Sequence, residues 1–346
     1  MKKLLVASSA LVAVAFAGQA SASEKISLSV GGYMEQWIGV ADQDSGESVN
    51  AFQSDTEIHF KGSTTLDNGI EVGAVVELEG ETSGDQIDEE YLYINGGFGQ
   101  LKLGKDDGAA DSMGITAPAV GPVGVNDGDL TNWVNAYLPD TVPSTGDHKR
   151  VTYFTPVLGG FRAGVSYADD STSNNDDTAT AGDNVISAGL EFNHDFDGVS
   201  LGLSAVGENE GEGNWYGLGA NVGFGNFTVG GSWGHIEDDF GFGENAKAGD
   251  DTDTYDIGVA YSMDAAKVSL SYAYSEYGNR DIDSSSTVTN PIGTGEVSTV
   301  DLGLAYTLGA GVTWKSSVFW FDDDSNNAAI ADNDGYGVVT GLRLDF

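Results

Sequence analysis

Asp106, Asp107, Asp111, Asp127 and Asp129 fall in one stretch, 106–147, that keeps no hydrophobic period. Carboxylates at this density can gather cations electrostatically or ligate a hard metal ion through oxygen. Bases that could oppose them are sparse: 14 lysines and arginines stand against 54 aspartates and glutamates, a formal charge of −40. The candidates are His59, Lys61, Lys102, Arg150 and Arg162, with Glu57 two residues from His59. So acidic a chain repels nucleic acid and attracts cations.

Other strings that could carry chemistry are weaker. Gly198-Val199-Ser200-Leu201-Gly202 has the spacing of a nucleophile elbow, which needs a strand-to-helix turn. Here it opens an alternating segment in a glycine-rich chain, so it reads as coincidence. Gly241-Phe242-Gly243 with Ala246 lies in an acidic stretch that would repel a pyrophosphate. His59, His148, His194 and His235 have no ligand spacing, and there is no cysteine to bind metal or form a disulfide. Asp322-Asp323-Asp324 and Asp332-Asn333-Asp334-Gly335 offer oxygens to Ca²⁺ or Mg²⁺, but the calcium-loop pattern lacks its closing glutamate. These runs read as solvated surface, and no enzyme or cofactor is expected.

The elements that must position these charges follow from periodicity. Residues 1–22 form an export signal: Lys2 and Lys3, an apolar run from Leu4 to Ala17, and the small-residue cleavage site Ala20-Ser21-Ala22. The apolar run is too short for a membrane helix, so the mature chain spans 23–346. From Ile26 onward, sixteen segments alternate polarity with a period of two, from 26–40 and 56–66 to 335–346. In one of them Val268, Leu270, Tyr272 and Tyr274 alternate with Ser269, Ser271, Ala273 and Ser275. Six tryptophans, 14 tyrosines and 15 phenylalanines argue against disorder despite the charge.

Connections alternate between short glycine or aspartate turns (LDNG, GGFG, DFDG, GFGN) and long acidic loops, the habit of a membrane β-barrel. Aromatics gather near segment ends as interface girdles: Phe98, Phe161, Phe196, Phe224 and Phe227 on one rim, Tyr167, Tyr255, Tyr277 and Trp320 toward the other. Trp37 also stands near such an end, although parity turns it inward with Tyr33. The last segment alternates up to Phe346, so it can close the sheet against the first. The expected fold is all-β, a transmembrane 16-stranded antiparallel barrel with apolar side chains toward lipid.

The phrases ISLSVGGYMEQW and FGQLKLGKDDGAAD, the signal peptide and the terminal Phe346 together resemble the general bacterial porins, particularly their alphaproteobacterial branch. The resemblance spans the mature chain. It implies a homotrimer in the outer membrane of a Gram-negative bacterium, beside lipid and lipopolysaccharide, with short periplasmic turns and long extracellular loops. It also implies a third loop folded inward to narrow each pore, and 106–147 occupies that position.

On this reading Asp106, Asp107, Asp111, Asp127 and Asp129 lie on the constriction loop, stiffened by Pro118 and Pro122. Glu57, His59, Lys61, Lys102, Arg150 and Arg162 face it from the pore wall, while Lys315 and Arg343 lie nearer a short-turn end. Acid on the loop and base on the wall would set a transverse field. Family members often carry an arginine cluster on early strands; here those strands offer Glu35, Glu57, His59, Lys61, Glu71 and Glu77. The expected function is passive diffusion of small hydrophilic solutes and ions with cation preference. A substrate-selective channel would show an aromatic track or a basic ladder, and a secreted structural β-protein would be soluble without detergent.

Overall fold

Period-two alternation closes into a complete barrel in the computed structural model. It describes residues 25–45, 49–81, 86–125, 129–136, 138, 140–143, 146–169, 184–211, 213–237, 240, 251–278, 294–326 and 331–346. The expected export signal and Asp127 lie outside the described residues.

Sixteen strands follow one another around the wall: β1 Ser27–Gln43, β2 Val49–Thr65, β3 Glu71–Glu79, β4 Ile87–Gly96, β5 Gly99–Asp106, β6 His148–Phe154, β7 Phe161–Ala168 and β8 Val185–Asp195. They continue with β9 Val199–Glu210, β10 Gly213–Phe224, β11 Phe227–Ile236, β12 Thr252–Met263, β13 Ala266–Tyr277, β14 Gly295–Gly309, β15 Val312–Ser325 and β16 Asn333–Asp345. Each strand pairs antiparallel with its neighbours in sequence, and β1 pairs with β16 from Tyr33↔Asp345 to Gln43↔Gly335. The chain end completes this seam: Gly32 N–H donates to Phe346 O (3.0 Å) and Phe346 N–H to Gly32 O (3.1 Å). Among the described residues, every strand thus has a neighbour on both sides and the sheet closes on itself.

The short connections use the expected turn chemistry. Asp197, Gly198, Gly225 and Gly311 adopt φ of 53°, 99°, 57° and 69°, the left-handed values that tight hairpins require. The largest boundary difference is at β2, which starts at Val49, seven residues before the segment read from 56. Gln53, Asp55 and Glu57 keep the parity there, but Ser54 and Thr56 replace apolar residues on the outer face, so hydropathy alone loses the strand.

Inside and outside follow parity. Leu270 is 50% exposed on the outer face, whereas Ser269 and Ser271 beside it are 1% exposed. Exposed apolar side chains such as Ile38, Leu92, Leu103, Leu190, Leu218 and Leu302 spread this band around the circumference. Phe98, Phe161, Phe196, Phe224 and Phe227 are exposed at the short-turn rim, with Tyr167, Tyr255 and Trp320 toward the other. Tyr277 does not join that girdle: it is 3% exposed and its hydroxyl donates to Asp323 Oδ1 at 2.8 Å. Trp37 is also buried, inside the barrel. Nearness to a strand end suggested a girdle for both; parity decides the side.

Candidate functional site

The chain between β5 and β6 enters the barrel and is fastened to its inner wall. It opens with a one-turn helix, α1 (Ala109–Met113), whose Ala109, Ala110 and Met113 are buried. A 3-10 turn, Asp129–Asn132, follows further along. The fastening has a repeated form, in which a loop backbone N–H donates to a small polar side chain on the wall. Ala109 donates to Ser166 Oγ on β7 (3.1 Å), Ala110 to Ser187 Oγ on β8 (2.8 Å) and Ile115 to Ser204 Oγ on β9 (3.0 Å). Ala117 donates to Asp256 Oδ2 on β12 (3.1 Å), Val120 to Ser269 Oγ on β13 (3.0 Å) and Val123 to Ser317 Oγ on β15 (3.3 Å).

These bonds answer a physical requirement. An irregular segment pressed against a wall cannot leave its amides dry and unpaired. Inward serines supply acceptors while letting the backbone approach closely. Where contact is tightest the wall gives up its side chain: a Cβ at Gly219 would strike Ile115 O, and one at Gly303 would strike Gly121 N.

At its far reach the loop meets β15, β16, β1 and β2. Val123, Leu130, Trp133 and Val134 pack with Trp37, Ala41, Phe319, Phe321 and Val339 in one buried apolar cluster. Asn135 N–H donates to Gln43 Oε1 (2.9 Å), Asn333 Nδ2 to Asn135 O, and Gln53 Nε2 to Asn132 O. The returning chain is held by Thr141 Oγ1, 2.7 Å from Ser232 Oγ on β11. Met113, Phe154, Val206, Trp215, Ile236 and Phe240 form a second buried cluster under the start of the loop. The fastening therefore runs from β7 around to β2.

The remaining arc, β3 to β5 with the inner face of β2, is different in kind. Its inward positions hold Glu57, His59 and Lys61 on β2, Glu71, Glu77 and Glu79 on β3, Glu89, Tyr91 and Tyr93 on β4, and Lys102 on β5. Side chains here keep access to the lumen: His59 is 19% exposed and Lys61 50%, against 0% for Ser187 under the loop.

Each basic side chain expected on the wall has a carboxylate beside it. Lys61 Nζ is 3.1 Å from Glu77 Oε1, and His59 Nε2 lies 2.7 Å from Glu57 Oε2 and 3.2 Å from Glu77 Oε2. Lys102 Nζ donates to both oxygens of Asp106 at 2.8 Å and stands over the Tyr91 ring. Arg162 is 3.7 Å from Glu191 and packs on Phe154, one residue from the start of β7 and its short turn. Lys315 and Arg343 share Glu35, at 3.4 and 2.8 Å.

Two of the residues grouped by sequence sit elsewhere than expected. Asp106 is the last residue of β5, 3% exposed, rather than part of the loop. Arg150 is also 3% exposed; its Nη2 donates to Gly146 O, and Glu208 lies 3.9 Å away. It braces the returning end of the loop instead of facing an open lumen. The alternation that placed both inward is correct, but parity does not tell which inward position the loop covers.

Asp107 and Asp111 lie at the loop's entry. Burial pushes the Asp111 carboxyl up to about 8, and Asp107, whose carboxyl hydrogen-bonds it, adds to the rise. Asp147 at the loop's exit is pushed up to about 7, by burial first and then by Asp107 and Asp88. Only the backbone of Asp129 is described, in the 3-10 turn. Among the described residues, four groups of three donors could hold a metal ion, and none involves the 322–324 or 332–335 acidic runs. Asn333 instead clasps Ser45 N, Gln43 Oε1 and Asn135 O.

This architecture is shared with solved outer-membrane channels. An anion-selective porin from Comamonas acidovorans superposes with a TM-score of 0.65 at 18% identity, over 93% of this chain and all of that one. The OmpT protein of Vibrio cholerae, in a trimer form, gives 0.64 at 14% identity over 94% of this chain and 100% of that one. Among curated sequences, uncharacterized proteins of Rickettsia conorii and Rickettsia typhi are 24% and 25% identical, covering 84% and 79% of this chain and 89% and 86% of theirs. The profile of the Gram-negative porins matches residues 7–338, nearly the full length, and the chain therefore belongs to the Gram-negative porin family of outer-membrane channels.

Proposed function

We propose that this porin is a general diffusion channel with cation preference. Small hydrophilic solutes and ions pass down their gradients through the space between the 107–147 loop and the β2–β5 arc. One observation carries the reading: the loop is fastened to the serine- and glycine-faced wall from β7 round to β2, and the arc opposite carries Glu57, Glu71, Glu77, Glu79 and Glu89. A passage bounded on that side by carboxylates, whose few bases already have acidic neighbours, holds a negative potential that raises the local cation concentration. The likeness to a porin described as anion-selective concerns the fold alone, so the sign of preference rests on this chain's own wall.

Residues 1–22 serve as the export signal, and three chains associate through their lipid-facing walls beside lipopolysaccharide. Passive passage needs no cofactor. Reconstituted protein should let liposomes swell in sugars at rates that fall with solute size and do not saturate with concentration. Saturation by one sugar would favour a substrate-selective channel instead, and no swelling in any sugar would overturn the reading.

A further inference from the structure

We propose that Glu57, His59 and Glu77 form a site on the lumen wall for a divalent transition-metal cation of the Zn²⁺ class. Glu57 and His59 are two residues apart on the inward face of β2, and His59 stands directly across from Glu77 in the β2–β3 register. Strand geometry thus brings one imidazole and two carboxylates together on a rigid support. Glu57 Oε2 and Glu77 Oε2 lie 2.7 and 3.2 Å from His59 Nε2. Ligands bound at about 2.0–2.1 Å in a tetrahedral shell are separated by roughly 3.3 Å, so small side-chain rotations make room for the ion.

The opposite oxygen of each carboxylate is held by a neighbour. Tyr33 Oη donates to Glu57 Oε1 at 2.8 Å, and Lys61 Nζ lies 3.1 Å from Glu77 Oε1. Both carboxylates are therefore turned so that their Oε2 atoms meet the imidazole. Fixing ligands through their outer oxygens is how metal sites gain rigidity.

The donor set selects the ion. Mg²⁺ and Ca²⁺ prefer oxygen alone, whereas an imidazole with two carboxylates suits Zn²⁺, Co²⁺ or Ni²⁺. The three side chains are 12–19% exposed to the lumen, which gives an ion a route in and leaves water to complete its shell. Asp55, Glu79 and Glu81, toward the long-loop end of the same strands, bring further carboxylate oxygens together. Being carboxylates only, they form a negative approach rather than a second site of this kind. The competing state is a closed network in which His59 bridges the two glutamates directly, with no ion between them. The proposal is independent of the sign of ion preference, since binding is measured without any current.

The test is calorimetric titration of Zn²⁺ into chelator-washed, full-length protein in detergent, with millimolar Mg²⁺ present to occupy carboxylate-only positions. One saturable Zn²⁺ per chain is expected. His59→Gln and Glu77→Gln should each weaken it at least about tenfold, while Tyr33→Phe, which removes the hydroxyl that holds Glu57 Oε1 and also reaches Asp55, should weaken it by about tenfold. His194→Gln, beside Phe192 and Phe196, should leave it unchanged. An unaltered β-sheet circular dichroism spectrum and unaltered heat-dependent gel mobility certify that the variants are folded, and Co²⁺ substituted for Zn²⁺ should give a visible absorption band that His59→Gln abolishes. Absence of saturable Zn²⁺ binding, equal binding by His59→Gln, or full displacement by Mg²⁺ would overturn the assignment.

Discussion

Replacing Ser187 with alanine tests how the loop is held. Ala110 N–H donates to Ser187 Oγ at 2.8 Å, and both residues are 0% exposed. Removing the hydroxyl leaves a dry backbone donor without a partner, at a cost of about 1–3 kcal/mol. At 1.4 kcal/mol per factor of ten, the opening equilibrium at Ala110 should rise by about 5- to 150-fold. Ser204 and Ser269 hold Ile115 and Val120 in the same way on β9 and β13. The amides of Ile115 and Val120 are only part-buried and can gain water, so the triple Ser→Ala variant should loosen the loop by more than Ser187→Ala alone but by less than three times as much.

Amide hydrogen exchange of the detergent-solubilised protein reads this directly, because it reports local opening rather than global unfolding. Protection at Ala110 should fall in Ser187→Ala and collapse along 109–123 in the triple variant, with open-channel current noise rising in parallel. Ser316→Ala supplies the control, since its hydroxyl pairs with Thr340. Ala110 exchange within twofold of the wild type in the triple variant would refute the account of the wall serines as the loop's fastening.

Further consequences concern the same loop. Trp133 is 2% exposed and lies over Gly39, so Trp133→Ala should cost about 3–5 kcal/mol and enlarge single-channel conductance as the far reach of the loop detaches. Asp111 and Asp147, pushed up to about 8 and about 7, ionise as pH rises from 6 to 9, so cation preference should grow across that range. Asp111→Asn with Asp147→Asn should flatten the dependence in zero-current potential measurements. The same shifts bear on stability: from about pH 4 to 8 the folded state holds protons that the unfolded chain has lost, so stability falls as pH rises through that window. Asp111→Asn should remove part of that slope in thermal unfolding.

The strands were legible because a wall between lipid and water enforces strict alternation, as in Leu270 flanked by Ser269 and Ser271. Closure was legible in the same way, from alternation that runs up to Phe346 and pairs it with Gly32. The path of the loop was not. Serines 166, 187, 204, 269 and 317 look like ordinary lumen polars, and their common task appears only when the register brings each opposite a loop amide.

A usable signal was present nonetheless. Inward positions on β7–β14 are rich in small residues such as Gly164, Gly189, Gly219 and Gly303, whereas those on β2–β5 are large and charged. That asymmetry separates the covered wall from the open arc. It does not mark Arg150, which lies on β6 between the two regions with His148, Thr152 and Phe154 as its buried inward neighbours, while Lys61 on the charged side keeps access to the lumen.

The most direct test of the acidic passage is the zero-current potential of single channels under a KCl gradient. The account predicts a potential of the sign set by K⁺ permeating faster than Cl⁻. It should shrink toward zero when Glu57, Glu77 and Glu79 are all replaced by glutamine, and at high salt as screening shortens the field. A chloride-selective potential, or one that the triple replacement leaves unmoved, would contradict it.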